Sequence, residues 1–445
     1  MKKIFLFMTV LIGSVALILG CKKIINKIPE DYLSNENALT TVEGLETAVV
    51  GTYNSLQNGD LYGGSIWTCQ DMLANNVKPS GQGNIVYEET QMLKKNMSPD
   101  NRLSASFWAN AYYSINMANT IIEAIPEVNP SPTVADRILG ECLFIRAMVN
   151  FDLVRYIGNI NNNLGVPLLT APTGITGKPS RATIEAVYQQ IITDLLQAAQ
   201  LLPETNNNRA TSWSAKGLLS RVYFYHGDMD ECITISTEII DSHNFSLVDS
   251  VEDNWVASST MTSEMLFALM STTTNATAGT LNGYFRLASN GKFSPSTSVL
   301  KVFTFTGGNA DQRYRKFFLS QGGKYFCTMF DDRYMNVPLV RLAEIYLNRA
   351  EARFGKGDTQ GALLDLNMVR KRAGIPDTTN INATLIYYER FKELCFQGDN
   401  FFNQKRLKKE KISDKELPYN SVRLMYLIPQ REMDVNPNLV QNTGN

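Results

Sequence analysis

The chain is 445 residues long, 44% hydrophobic and 19% charged, with a formal net charge of −1 at pH 7. Those values describe a packed globular protein, one large domain or a few ordinary ones. Near-neutral charge and the lack of a basic stripe interleaved with aromatics argue against a nucleic-acid partner. Two histidines leave little room for histidine catalysis or a zinc site.

Residues 1–20 read as an export signal outside the fold. Lys2 and Lys3 precede an apolar run, 4–19, that is too short to span a membrane comfortably. The run ends in Ile18-Leu19-Gly20-Cys21, which resembles the bacterial lipobox. That resemblance implies cleavage before Cys21 and its lipidation, so the mature protein is anchored to a membrane surface without spanning it. The alternative is a plain secretory signal followed by an unrelated cysteine. The other cysteines, Cys69, Cys142, Cys232, Cys327 and Cys395, are scattered and form no C-x-x-C. They predict neither a disulfide framework nor a metal knuckle.

Residues 21–40 form a polar, Pro29-containing tether and arm. Over 41–57, Leu45, Ala48, Val49, Tyr53 and Leu56 share one face and predict a helix. Residues 59–96 lose that period and hold Tyr62, Trp67, Asp71, Asn75, Asn76 and Tyr87, so they read as a long irregular stretch with a function. Helical periods return over 107–125, 133–157 and 183–202, the last stopped by Pro203. A helix over 212–226 turns at His226-Gly227-Asp228 and continues over 229–242. Residues 244–333 are rich in Ser, Thr, Gly and aromatics and read as an insertion of loops, short strands and short helices. Residues 338–376 read as a second helix pair around Gly355-Lys356-Gly357-Asp358, and 385–407 as one more helix. Two helix–Gly-Asp–helix units mark a tetratricopeptide-like repeat. The fold class expected is therefore mainly α, with about four such pairs and a large irregular insertion. The divisions are 41–243 (helical), 244–333 (insertion) and 334–445, the last packed with 41–243 as one unit.

Paired carboxylates occur at Asp331-Asp332, Glu88-Glu89 and Glu389 with Glu393. A glycosidase needs two of them across a cleft. Glu389 and Glu393 are one turn apart beside Arg390 and Lys392, so a solvated or salt-bridged helix face is expected. Asp331-Asp332 reads as a turn, with a structural calcium ion as the alternative. No other metal and no cofactor is expected. No G-x-S-x-G elbow is present. His226 reads as a helix-end residue. Trp108, Trp213 and Trp255 read as core. The two irregular stretches instead mix aromatic rings with amides and charges, the mixture that stacks on sugar C–H faces and bonds their hydroxyls. The candidate ligand-binding residues are Tyr62, Trp67, Asp71, Asn75, Tyr87, Tyr284, Arg286, Asn290 and Tyr325, with Asn76, Lys292 and Phe293 in the same stretches.

Several blocks, in order, carry a family resemblance: FWANAYYSINMANTIIEAIP, ILGECLFIRAMVNFDLVRYIG, RATSWSAKGLLSRVYFYHGD, VRLAEIYLNRAEARFGKGD, ALLDLNMVRKRAGIP and LIPQREMDVNPNLVQN. Over essentially the whole mature chain, they resemble the SusD/RagB family of Bacteroidetes outer-membrane nutrient-binding lipoproteins. The resemblance implies four helix pairs flanked by a less regular part, and no enzymatic activity. It implies a SusC-type TonB-dependent transporter as partner, a glycan ligand or in some relatives a peptide, and a lipid-anchored outer-membrane location facing the exterior. The chain departs from the family pattern at Asn400 and Asn403, where the family carries Arg and Asp. That change suggests a salt bridge replaced by a neutral amide pair. Lys22 and Lys23 stand where many surface-exported relatives are acidic. Arg341, Glu344 and Glu351 are expected to pair within the scaffold.

Overall fold

The protein is described here by a computed structural model covering residues 39–174, 176–286, 291–306 and 308–443. The export signal, Cys21 and Asn290 lie outside those residues. Eight long helices stack in chain order, each packed on the next, as four antiparallel pairs. The pairs are Val42–Leu56 with Arg102–Val128, Pro132–Ile157 with Ile184–Leu201, Ser212–His226 with Met229–Asp241, and Leu342–Gly355 with Thr359–Arg372.

The helix starts follow from local chemistry. Thr41, Thr183 and Thr211 each accept a hydrogen bond from a backbone N–H of the first turn, at 3.0 to 3.1 Å. Asp358 does the same for Gly361 at 2.8 Å. The turn before it needs Gly357, whose φ of 88° suits glycine. Two of the pairs share one internal tie. Arg146 holds Asp194 through two hydrogen bonds of 2.8 and 2.7 Å. Arg349 holds Asp365 in the same bidentate way, at 2.9 and 2.7 Å.

Three departures from the sequence expectation concern the edges of this scaffold. Residues 59–96 contain two helices, Ser65–Ala74 and Tyr87–Leu93. Every residue of the first is buried, so no apolar stripe with a 3.6-residue period exists to be read. The expected helix over 385–407 is two helices, Ala383–Glu393 and Asn400–Arg406, because Phe396 and Gly398 turn the chain with φ of 62° and 82°. Residues 338–341, expected in the helix pair over 338–376, belong instead to the strand Val337–Arg341.

That strand pairs antiparallel with Met265–Leu269. The insertion thus leaves and re-enters the scaffold at one place, against the Ser212–His226 helix, where Ser214 Oγ donates to Leu266 O at 2.7 Å. A second antiparallel pair, Val77–Pro79 with Phe293–Pro295, draws the two irregular stretches together. One apolar core runs through both layers, and Trp108, Trp213 and Trp255 are buried in it. A satellite cluster of Ala343, Leu347, Leu366, Val369 and Ile386 sits under the last pair.

Candidate ligand-binding face

The buried Ser65–Ala74 helix decides the fate of several expected site residues. Trp67 is 6% exposed and packs against Phe330, with ring centroids 6.5 Å apart. The backbone of Gly398 presses on it so closely that a Cβ there would stand 2.8 Å from the indole. Tyr62 is buried and donates to Asp152 Oδ2 at 2.6 Å. Tyr284 is buried within 3.4 Å of Ser65 Oγ. Tyr62, Trp67 and Tyr284 therefore present no ring face to solvent, because the helix that carries or abuts them lies between the two layers. Asp71 is 2% exposed. Asn76 Nδ2 donates to its Oδ1 at 2.8 Å, and its Oδ2 has no partner among the described residues. Burial pushes its carboxyl up to about 7.

Other expected residues do reach the surface, on loops knitted into one face. Ser80 N–H donates to Lys292 O at 2.9 Å and Ser80 Oγ to Gly291 O at 2.5 Å. Lys324 Nζ donates to Ser80 O at 3.3 Å. Lys292 Nζ donates to Glu89 Oε1 at 2.7 Å, while Glu89 Oε2 accepts from Val86 N–H at 2.9 Å. Glu89 so fixes the start of the Tyr87–Leu93 helix and leaves Tyr87 73% exposed. Tyr325 is half-buried on the Phe318–Gln321/Lys324–Cys327 hairpin, and Arg286 is exposed at a helix C-terminus. Asn75 is half-buried in a left-handed conformation at the end of its helix.

Sequence reasoning missed Tyr314. Its ring stacks on Phe303 and Phe318, with centroids 6.1 and 5.7 Å apart. A hydrogen bond with Tyr325, aided by burial, pushes its hydroxyl up to about 12. The signal that could have found this pair is the Gly322-Gly323 step between two aromatic runs, which marks a hairpin.

The conspicuous carboxylates lie elsewhere. Glu389 and Glu393 lie on a buried, salt-bridged helix face, the second of the two arrangements expected, and not on a solvated one. Arg313 bonds Glu389 at 2.5 Å, Glu393 at 3.1 Å and Asp311 at 2.8 and 2.9 Å. Arg341 joins Glu264 at 2.5 Å to Glu393 at 3.0 Å, and Arg372 joins the same two carboxylates. Burial alone would raise both glutamates, but the arginines outweigh it and hold them below the usual range. Carboxylates so fully paired are not poised as a general acid and nucleophile.

Further corrections and outcomes follow from packing. Asn400 and Asn403 do not pair with each other. Asn400 Nδ2 donates to Asn76 Oδ1 at 2.9 Å, and Asn403 Oδ1 accepts from Arg406 at 2.7 Å. Glu344 pairs with Arg221 and Glu351 with Arg406, both at 2.5 Å. Asp332 closes a turn, accepting from Tyr334 N–H at 2.8 Å. His226 lies between Asp228 at 2.7 Å and Glu185 at 3.0 Å and stacks on Tyr188. Among the described residues, no group of three or more His, Cys, Asp or Glu side chains could hold a metal ion. No helix there is long and apolar enough to cross a membrane.

A stack of helix pairs beside a loop face that carries aromatic and charged side chains is the architecture of a repeat scaffold. Residues 31–224 match a family described as starch-binding and associating with the outer membrane, and residues 236–424 match the SusD family. The chain belongs to the SusD/RagB family. A SusD-like protein of Bacteroides ovatus is 25% identical, with 85% of this chain and 78% of that protein aligned. SusD-like protein P2 of Formosa agariphila is 25% identical over 48% of this chain, which spans only 42% of that relative's length. A SusD superfamily structure from Bacteroides thetaiotaomicron superposes with a TM-score of 0.80 at 26% identity, covering 91% of this chain and 100% of the other. A laminarin-binding SusD-like protein shares the fold, with a TM-score of 0.79 at 22% identity, over 91% of this chain and all of the other. Proteins of this family bind carbohydrate and associate with the outer membrane.

Proposed function

We propose that this protein is a lipid-anchored, non-catalytic glycan receptor of the outer membrane, lidding a SusC-type TonB-dependent transporter on the cell exterior. The observation that carries the reading is the loop face, where Tyr87, Arg286, Lys324 and Tyr325 stand on segments tied through Ser80 and Lys292. Tyrosine rings stack on the C–H faces of a sugar, and the polar groups beside them bond its rim hydroxyls. Shallow contact of this kind gives modest affinity per ring and permits release to a transporter. The laminarin-binding relative supports a glycan as the ligand class. The lipobox at Cys21 supports the anchor.

Calorimetry against a panel of polysaccharides and peptides tests the ligand class. A glycan binds, and Tyr325→Ala together with Tyr87→Ala weakens it about tenfold, or about 1.4 kcal/mol. Incubation with the bound glycan releases no reducing ends above the buffer control. Peptide binding without glycan binding, or sustained release of reducing ends, contradicts the reading. Co-purification of a TonB-dependent transporter with the native lipoprotein tests the partner.

A further inference from the structure

A second surface of sugar-recognising chemistry lies outside the loop face. The helices Ala383–Glu393 and Asn400–Arg406 meet the end of the Ser65–Ala74 helix along a trough. Tyr387 and Tyr388, with ring centroids 5.4 Å apart, stand between two cavities and line both. One cavity, of about 360 Å³, has Asn75, Asn76, Ser298, Asn400, Gln404 and Asp414 in its wall. The other, of about 450 Å³, adds Phe354, Thr384 and Leu407. Each falls in the size range of about 300–1,000 Å³ that holds small ligands.

The wall is built and ordered. Tyr387 hydroxyl donates to Asn400 Oδ1 at 3.2 Å, Asn400 Nδ2 to Asn76 Oδ1 at 2.9 Å, and Asn76 Nδ2 to Asp71 at 2.8 Å. This chain runs from the buried carboxylate to the tyrosine that lines the trough. Each amide nitrogen in it uses one hydrogen, and an asparagine amide carries two. Asn76 and Asn400 are 3% and 5% exposed, and they form the floor.

The chemistry selects the ligand class. Amides and hydroxyls dominate the first cavity. Asp414 is engaged by Lys95 Nζ at 3.4 Å, and Lys409 Nζ lies over the Tyr387 ring, 5.1 Å from its centroid. No cation cluster suits a phosphate and no carboxylate cluster suits a basic peptide. Two adjacent tyrosine rings with neutral donors and acceptors suit a polyhydroxylated ring. The trough also joins the loop face. Strand Val77–Pro79 runs from Asn76 to Ser80, a span of at most about 14 Å.

We propose that this trough is a second carbohydrate-contacting site, holding one end of a glycan chain whose remainder lies on the loop face. The proposal rests on the glycan-receptor reading. It gives Asn75 a place, because that residue lines the trough near the strand that leads to the loops.

The test is calorimetry of the full chain with maltohexaose, laminarihexaose, mannohexaose and xylohexaose, and with the matching trisaccharides. Wild type is compared with Tyr388→Ala/Gln404→Ala, with the exposed-rim variant Ser298→Trp, and with the loop-face pair Tyr87→Ala/Tyr325→Ala. The expected result is that both trough variants bind a hexasaccharide about tenfold more weakly with melting temperatures unchanged, while trisaccharide binding is untouched. Hexasaccharide affinity unchanged in Ser298→Trp and in the double variant overturns the trough and leaves the loop face standing. Binding of none of the hexasaccharides by wild type overturns both readings.

Discussion

The buried charge cluster around Glu389 and Glu393 and the face proposed to meet ligand are different places. Around Glu389 and Glu393, carboxylates and cations share one buried lattice with Asp311, Arg313, Arg341, Arg372 and Lys392. Around Tyr87 and Tyr325, side chains reach solvent and most of the bonds run to backbone. The lattice joins the insertion, through Asp311 and Arg313, to the last helix pair and the helix that follows. The difference teaches that ionisable side chains gather here to join two layers. Structural ion-pair networks perturb carboxylates as reaction centres do, so a cluster of carboxylates is not by itself evidence of a reaction centre.

The largest expected effect comes from breaking the lattice. Arg313→Ala leaves Asp311, Glu389 and Glu393 buried without their central partner. It should cost about 3–5 kcal/mol in a denaturant titration. Arg313→Lys should recover little, because a point charge cannot span the same carboxylates. Next comes Asp71. Its folded carboxyl keeps its proton up to about 7, whereas the unfolded one releases it near 3.8, the ordinary aspartate value. The folded state therefore loses stability as pH rises from about 4 to 7, by about 3–4 kcal/mol. Asp71→Asn lacks that loss, so its stability advantage over wild type should grow between pH 4 and pH 8 in parallel melts. A constant difference across that range would show that Asp71 is ionised throughout.

Smaller effects sharpen the other side of the comparison. Tyr325→Ala, at a half-buried position on its hairpin, should move stability by about 1 kcal/mol or less, while weakening glycan binding about threefold, its share of the tenfold loss expected of the double variant. The smallest effect belongs to His226. Burial disfavours its charged form, but the bonds to Glu185 and Asp228 outweigh burial and raise its pKa. Stability from this contact is complete below about pH 6.5, the unfolded value, and is lost as pH rises through the raised folded value. Because the ring is only partly buried, His226→Asn should cost less than about 1 kcal/mol at pH 5.5 and nothing measurable at pH 9.

Much of the scaffold was legible because its helices bury one face each. The periods over 41–57 and 183–202 mark elements found at Val42–Leu56 and Ile184–Leu201. The Gly-Asp turns at 227–228 and 357–358 announced two of the pairs directly. The rest was hidden for physical reasons. Ser65–Ala74 is buried on every side, so Trp67 and Asp71 read as loop residues free to meet ligand when they are core. Glu389 and Glu393 sit at ordinary surface spacing, and the arginines that bury them come from positions 313, 341 and 372. Such long-range pairings leave no local pattern. Tyr314 is a different case, since the hairpin that brings Tyr325 to it is local and is marked by Gly322-Gly323.

The central claim is that the tied loops form a sugar-binding surface with no chemistry behind it. The most direct test titrates the glycan that binds wild type into Tyr87→Ala/Tyr325→Ala by calorimetry. The account predicts about tenfold weaker binding with an unchanged melting temperature. Unchanged affinity in a fully folded variant would contradict it.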